Sequence, residues 1–591
     1  MVRLRRPRWK GSRRRFLQLS AGAASSLVLA ACNNGSTTRP GATSTSTPRS
    51  APVVPTATPR PTTASGGAPQ AGGTLRFTGL VISDGQFDPH KTQAPPLAAY
   101  QSMTFSRLLT YESQSEGIIG VDLATTLPET PDPLTYVVHL NPAARWDERA
   151  PLEGRPVSAA DIAFSIERQR NGDGTFVRRS EWLNVESVQV LDPTTLILTM
   201  SEPLATMTHR MADVHSFVVA PEAAEQGFAA NIQLGSGPFR AIEWNEQQFS
   251  SAVKREDWYG GGGRPYLDGL SIIQPTDATE VEAELRTKKL DVAFVGKPVA
   301  ERLRRVIPDL NEVPAGVGQF FGMRFFSPHP PFHDPRVRSA LSYSIDRREM
   351  IREFFSGAGE VNPWVSWPLR RWSLPQSELA TFAGYRPGVA GRNEDIAEAA
   401  ALLAAFRSDQ ELDEAAAEET DALSNLVLYV VDEAEATLGL GSFVRDDVQA
   451  ALGLEIEVVP LPLSEIIGRL LNQEAPWVTG PDSGWIDLDD WVFPYFHSAG
   501  TRNSFALRDP DMDTLIEAQR VELDNQERRD LGYDIQRRLL STNVGTNFAS
   551  ERVIALAWPY VHAFPLDATD GFQGRLADCW LDPNDKTYLG R

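Results

Sequence analysis

Leu426-Val427-Leu428-Tyr429-Val430-Val431, then a helical pattern from about 435 to 452, then Leu454-Glu455-Ile456-Glu457-Val458-Val459, is the stretch that decides the fold class. The first run is apolar and rich in β-branched residues, as expected of a strand buried on both faces. The second alternates, and a further helical pattern follows near 463–473. Strand, helix, strand and helix at this spacing form a βαβ unit, which is right-handed with parallel strands in nearly all cases. The second half of the chain is therefore expected to hold an α/β lobe.

Upstream, the segment 336–355 (Arg-Val-Arg-Ser-Ala-Leu-Ser-Tyr-Ser-Ile-Asp-Arg-Arg-Glu-Met-Ile-Arg-Glu-Phe-Phe) places Val337, Ala340, Leu341, Ser344 and Ile345 at helical spacing. It predicts one amphipathic helix with a charged outer face. Gly72-Gly73-Thr74-Leu75-Arg76-Phe77 reads as an opening strand, and 134–140 and 186–200 alternate like half-buried strands. Between them Ser158 is placed to cap a helix, with Asp161 as the acidic partner of a capping box. Residues 409–421, rich in Glu, Asp and Ala, predict an exposed acidic helix. The body from about 73 to 591 exceeds the size at which one core stops growing, so at least two lobes are expected.

The chain carries 57 basic and 77 acidic residues. Eight of the basic ones, and no acid, lie in residues 1–31, which leaves 49 against 77, or −28, for the rest. A chain with no basic footprint is not built for nucleic acid. The two cysteines are Cys32 and Cys579. Cys579, in Ala577-Asp578-Cys579-Trp580, reads as a small buried hydrophobe rather than a reactive thiol.

The N-terminus has the plan of a secretory signal. Arg3, Arg5, Arg6, Arg8 and Lys10 precede Ser12-Arg13-Arg14-Arg15-Phe16-Leu17, and an apolar run from Ala21 ends in Leu29-Ala30-Ala31-Cys32. The run is too short to span a bilayer, which takes about 20 apolar residues. Ser-Arg-Arg-x-Phe-Leu resembles the twin-arginine export signal, and Leu-Ala-Ala-Cys resembles a lipobox, which implies lipid on Cys32. Residues 33–72 are mostly Ser, Thr, Pro, Ala and Gly, with no acid and almost no large apolar side chain, a composition that cannot offset its ordering entropy by burial and reads as a disordered tether. With Cys32 lipidated, no intramolecular disulfide can form.

Several landmarks in the body recur in order. They include Phe87-Asp88-Pro89-His90, Trp146-Asp147, Gly154-Arg155-Pro156-Val157-Ser158-Ala159-Ala160-Asp161, Gly235-Ser236-Gly237-Pro238-Phe239, Pro331-Phe332-His333-Asp334-Pro335-Arg336-Val337-Arg338, and Ile345-Asp346-Arg347. Together they resemble the family-5 extracellular solute-binding proteins of ABC transporters, which include oligopeptide and dipeptide binders. The resemblance implies an α/β, two-lobed periplasmic-binding-protein-like fold (class II, type C), with a mixed sheet in each lobe and a hinge between them. Expected bounds are 1–31 for the signal, 32–72 for the tether, 73–312 for lobe I with an extra subdomain at about 92–215, 313–555 for lobe II, and 556–591 for a return to lobe I. The chain would cross between lobes near 310–325 and 550–560. The implied function is capture of a solute, an oligopeptide first and an oligosaccharide as the alternative, for delivery to a membrane ABC permease by a monomeric, lipid-anchored receptor.

In peptide binders of this family a Trp-x-x-Asp element supplies a carboxylate for the ligand ammonium, since a buried unpaired charge is prohibitive. The corresponding stretch is Gly484-Trp485-Ile486-Asp487-Leu488-Asp489-Asp490-Trp491, one residue short of that spacing. Asp487 is the first candidate partner and Asp489 the second; both also read as solvated loop acids. Asn503 resembles an asparagine that follows the element and could order the cleft wall. Trp364, Trp367 and Trp372 could line the ligand site, or pack in the core or between lobes. A secreted hydrolase is disfavoured: the sequence lacks His-Glu-x-x-His, Gly-x-Ser-x-Gly and nucleotide fingerprints. His329 and His333 stand at i, i+4, but prolines at 328, 330, 331 and 335 prevent a shared helical face. No metal, cofactor or catalytic activity is expected. A sensor or adhesin on the same fold is not separable from uptake by sequence.

Overall fold

The structure is a computed structural model. It describes residues 68–591 apart from 82, 84, 93, 230–232, 316–318, 362–369, 412–422, 432–434, 473, 484–486, 501–502, 504–505, 552 and 567–570. The signal, Cys32, the tether as far as residue 67, Trp364, Trp367 and Trp485 lie outside the described residues.

The strands Leu426–Val431 and Ile456–Leu461 pair in parallel, Leu426 opposite Ile456, and the helix Glu435–Leu452 makes the crossover between them. Leu426, Leu428 and Val430 are buried. These two strands complete a six-stranded sheet in the order Gly359–Val361, Gly545–Glu551, Gln319–Phe325, Trp477–Ser483, Leu426–Val431, Ile456–Leu461. It is mixed, because Gln319–Phe325 runs antiparallel to both of its neighbours.

A seven-stranded sheet forms the other lobe, in the order Asn311–Ala315, Val553–Ala557, Val292–Val295, Thr74–Thr78, Gly269–Ile273, Phe249–Lys254, Phe239–Asn245. The predicted opening strand Thr74–Thr78 sits at its centre, parallel to Gly269–Ile273. Asn311–Ala315 belongs to this sheet and Gln319–Phe325 to the other; Gly545–Glu551 and Val553–Ala557 divide in the same way. The chain therefore passes between lobes twice, after Ala315 and after Glu551. Each sheet has its own core, centred on Leu75, Phe77, Leu270 and Val292 in one and on Phe325, Leu428, Val430 and Trp477 in the other.

A third core belongs to a subdomain built on the first lobe. Its four-stranded sheet orders Glu129–Asp132, Thr135–His139, Thr195–Met200 and Val185–Asp192. The helix Ala159–Arg170 begins as expected at Ser158, whose N–H and hydroxyl both donate to the Asp161 carboxylate, at 2.9 and 3.0 Å.

The segment 336–355 departs from expectation. It forms two helices, Pro335–Tyr343 and Arg347–Phe354, because Asp346 caps the second by accepting the Glu349 N–H at 2.8 Å. Nor are its arginines all on an outer face. Arg338 is buried and donates to the carbonyls of Phe332 and Thr542. Arg347 is buried over the ring of Tyr385 and donates to Gly384 O and Thr546 Oγ1. Buried guanidinium groups are tolerated when carbonyls satisfy their donors. Of the predicted acidic helix, the helix Gly388–Glu411 contains the beginning.

Candidate ligand cleft

Where the lobes meet, the subdomain presents the short helix Met207–Ala212 and the strand Leu109–Ser113. The other lobe presents the helix Leu488–Phe496, the turn Arg370–Trp372, and the N-terminal half of the helix Asn525–Thr542. The Ala205 N–H donates to Arg520 O at 2.8 Å across the seam.

Asp487 stands at the centre and is 1% exposed. It caps the helix Leu488–Phe496, its Oδ1 accepting the Asp489 N–H at 3.0 Å. Arg528 addresses it with both terminal nitrogens: Nη1 donates to Oδ2 at 3.0 Å, and Nη2 to Oδ1. Arg371 Nη2 donates to Oδ2 at 3.4 Å. Burial alone would raise the carboxyl's pKa, but Arg528 leads a set of cations that hold it far below the usual carboxylate range. Asp487 is thus an ionised helix cap in an ion-pair network of its own lobe.

The two arginines are themselves fixed. Arg528 Nε donates to Gln519 O at 3.0 Å, and its plane lies 4.7 Å from the centre of the Trp372 ring. Arg371 stacks on the same ring at 5.3 Å and reaches Gln114 O of the opposite lobe at 3.4 Å. Trp372 is buried beneath them, so it is a support for guanidinium groups rather than an open platform.

From the facing lobe, His209 Nε2 approaches Asp487 Oδ2 to 3.9 Å. Its Nδ1 lies 2.9 Å from the Tyr111 hydroxyl, and the two rings stack at 5.7 Å. Burial and then Arg371 lower the imidazole's pKa to about 3 despite Asp487, so His209 is neutral at physiological pH. A hydroxyl donating to Nδ1 is the arrangement that neutral ring accepts, leaving Nε2–H toward Asp487.

Asp489 is 4% exposed and takes a 2.6 Å hydrogen bond from Gln519 Nε2. Arg520 Nε lies 3.2 Å from its Oδ2, and Arg210 of the facing lobe 3.9 Å. Asp490, half-buried, faces a different group: Arg178 pairs with Asp213 at 2.7 Å and with Glu181 at 2.9 Å. Burial and then Glu181 raise the Asp490 carboxyl well above its ordinary value, against the pull of Arg178. Asn503 uses its amide within its own loop, donating to His497 O and Leu507 O and accepting the Leu507 N–H. Sequence reading did not single out Arg371, Arg528, His209 or Tyr111. The one available signal was Asp487-Leu488-Asp489-Asp490, an N-cap acid with acids in the first turn. Among the described residues no group of three His, Cys, Asp or Glu side chains could hold a metal ion, and no helix is long and apolar enough to cross a membrane.

Two α/β lobes, crossed twice by the chain and meeting along a charged seam, define a bilobal binding protein. The chain belongs to the bacterial extracellular solute-binding proteins, family 5, whose model for the middle region matches residues 119–504. Among curated relatives, it is 25% identical to the glutathione-binding protein GsiB of Salmonella paratyphi A over 297 residues. That match spans 46% of this chain and 56% of the relative, about half the length of each. Among solved structures it is similar to DppA, a periplasmic binding protein from Helicobacter pylori in complex with the peptide STSA (TM-score 0.67, 17% identity, 87% of this chain and 98% of that one). It is also similar to AgaA from A. tumefaciens R10 in complex with agropinic acid (TM-score 0.65, 20% identity, 86% and 99%). These neighbours are binding proteins rather than enzymes, and at such identities the likeness is one of fold.

Proposed function

We propose that this protein is the extracytoplasmic receptor of an ABC importer, which captures a solute between its lobes and presents the closed form to a membrane permease. The observation that carries the reading is the double crossing between sheets at Ala315–Gln319 and Glu551–Val553, with polar side chains of both lobes converging beside it. Two short connections let the lobes rotate about one axis, and a ligand touching both walls biases that equilibrium toward closure. Tyr111, His209, Arg371 and Asp490 are the side chains we assign to the ligand's surroundings. Asp487 and Asp489 order the wall behind them, Asn503 orders the adjoining loop, and Trp364, Trp367 and Trp485 are retained as candidate walls of the cleft. Peptides, including short modified ones, are the ligand class, supported by the glutathione- and peptide-binding relatives.

The N-terminal sequence supports delivery by the twin-arginine route, lipid on Cys32, and a tether at 33–72 that keeps a monomeric receptor near its permease and raises the local concentration. Cys32→Ser is expected to move the protein from the membrane to the soluble fraction of the envelope. For the ligand, the purified body is to be screened by thermal unfolding against peptide and oligosaccharide libraries, because a ligand that binds only the native state raises the midpoint. Stabilisation by peptides supports the reading. Stabilisation by sugars alone replaces the ligand class, and turnover of either abolished by one acidic substitution would overturn the receptor role.

A further inference from the structure

The side chain of Arg371 seats in a turn of the opposite lobe. There the strands Leu109–Ser113 and Ile118–Val121 form a hairpin of the subdomain, and the Gly117 N–H closes its turn by donating to Gln114 O at 3.1 Å. Gly117 has φ +64°, a left-handed conformation that glycine adopts without steric cost. Arg371 lies over this turn, and its Nη1 donates to the same Gln114 oxygen at 3.4 Å. A Cβ on Gly117 would overlap Nη1 and Cζ of the guanidinium and lie 2.6 Å from its Nε. The space that a side chain would take at Gly117 is therefore filled by Arg371.

Both halves of this contact are held from behind. Arg371 stacks on Trp372 at 5.3 Å and donates to Asp487 Oδ2 at 3.4 Å. An exposed arginine would swing away from an added methyl group; this side chain, 8% exposed, gives up both contacts with its own lobe if it moves. The hairpin is fixed in turn, since Gln114 Nε2 donates to Gly571 O at 3.1 Å and Thr110 Oγ1 to Gln573 O at 3.0 Å. His209 and Arg210 approach Asp487 and Asp489 across the seam only to 3.9 Å. A knob fixed to one lobe, in a socket fixed to the other, makes closure a discrete state rather than a graded one. We infer that Arg371 and the Gln114–Gly117 turn form a latch that sets how strongly the closed state is favoured over the open one. Its use rests on the receptor reading above: the apparent affinity for a solute that needs the closed form scales with the closed fraction, so the latch tunes capture.

The test reads lobe separation in the full chain with no solute added. Cys32→Ser removes one thiol and Cys579 is buried, so spin labels attach only at Leu191→Cys in the subdomain and Val389→Cys in the other lobe, positions 52% and 80% exposed. By double electron–electron resonance the parent is expected to show mainly one short distance. Gly117→Ala is expected to lower the closed-to-open ratio at least fivefold, with a longer distance appearing. Arg371→Ala, which leaves the Arg528–Asp487 pair in place, is expected to do the same. Because both remove one contact, the double variant should be no more open than the more open single variant. Gly453→Ala carries a matching backbone strain, φ +68° with no atom within 4 Å, and is expected to keep the parent distribution. A mainly open parent, unchanged distances in Gly117→Ala, additive opening in the double variant, or equal opening in Gly453→Ala each overturns the latch. Such a result leaves the receptor reading standing, and a failed ligand screen leaves the latch standing.

Discussion

Arg591 holds the wholly buried carboxylate of Asp291 through two hydrogen bonds of 2.8 Å, Nε to Oδ1 and Nη2 to Oδ2. Arg76 meets the same carboxylate with its main-chain N–H at 2.7 Å and its guanidinium at 3.2 Å, and the Tyr560 hydroxyl donates at 2.8 Å. Asp291 thereby ties the central strand Thr74–Thr78 to the residues after 556. Removing one partner of such a group leaves charge uncompensated, which costs about 3–5 kcal/mol. Asp291→Ala is therefore expected to destabilise the protein by that amount in denaturant melts. Arg591→Ala leaves Arg76 in place, and its expected cost is about 1–3 kcal/mol.

Asp487 and Arg528 are expected to behave as a coupled unit. Arg528→Met leaves a buried carboxylate with only Arg371, and Asp487→Asn leaves two guanidinium groups without their anion; each is expected to cost about 3–5 kcal/mol. The double substitution should cost less than the sum, and a double-mutant cycle measures that difference. The folded-state pKa of Asp487 lies below its unfolded value. Its contribution to stability is therefore present above about pH 4 and lost as the pH falls below that. A pH series of chemical melts should show this acid-side loss in the parent and a shallower one in Asp487→Asn.

What could be read from sequence followed from local period and from backbone constraint. The βαβ unit at 426–461 was legible because a strand run, a helical period and a second strand succeed each other within one window. The capping box at Ser158 and Asp161 was legible because both members lie within one turn. Arg528 lies 41 positions from Asp487, and no periodicity relates an N-cap acid to an arginine on a later helix. The buried roles of Arg338 and Arg347 escaped for a similar reason: helical spacing assigns a face, but their guanidinium groups also depend on acceptors far away in sequence, Thr542 O for Arg338 and Gly384 O and Thr546 Oγ1 for Arg347. His209 could not be singled out, since its partners Tyr111 and Asp487 come from different lobes.

His90 gives a second pH signature at higher pH. It is fully buried, with Nε2 2.7 Å from Phe217 O and Nδ1 2.9 Å from Arg168 Nη1. Burial first, and then Arg168, lower its pKa to about 4, against the opposing pull of the Phe217 carbonyl and Asp88. The folded value lies below the unfolded 6.5, so folding favours the neutral ring. That stability is present above pH 6.5 and is lost as the pH falls toward 4. The displacement corresponds to about 3 kcal/mol at the limit. His90→Gln is expected to be less stable at pH 7 and to show a flatter stability profile between pH 7 and 4.

Gly235 is expected to tolerate no side chain. A Cβ there would lie 1.9 Å from the carbonyl oxygen of Thr104, and one at Gly237 would lie 2.7 Å from the Thr104 carbonyl carbon. The approach is enforced by hydrogen bonding, because the Gly237 N–H donates to Thr104 O at 2.9 Å and the Asp147 N–H donates to Gly235 O at 3.0 Å. The obstructing atoms are backbone, so no rotamer change relieves the clash, and the last turn of the helix Pro95–Thr104 must shift. Overpacking of this kind costs typically about 1–3 kcal/mol. Gly235→Ala should fall at or above the upper end, and Gly237→Ala below it. By contrast, Gly453→Ala meets no atom within 4 Å and bears only the strain of its left-handed backbone, φ +68°. Its expected cost is about 1–2 kcal/mol, so urea melts of the three variants should rank Gly235→Ala as the most damaging.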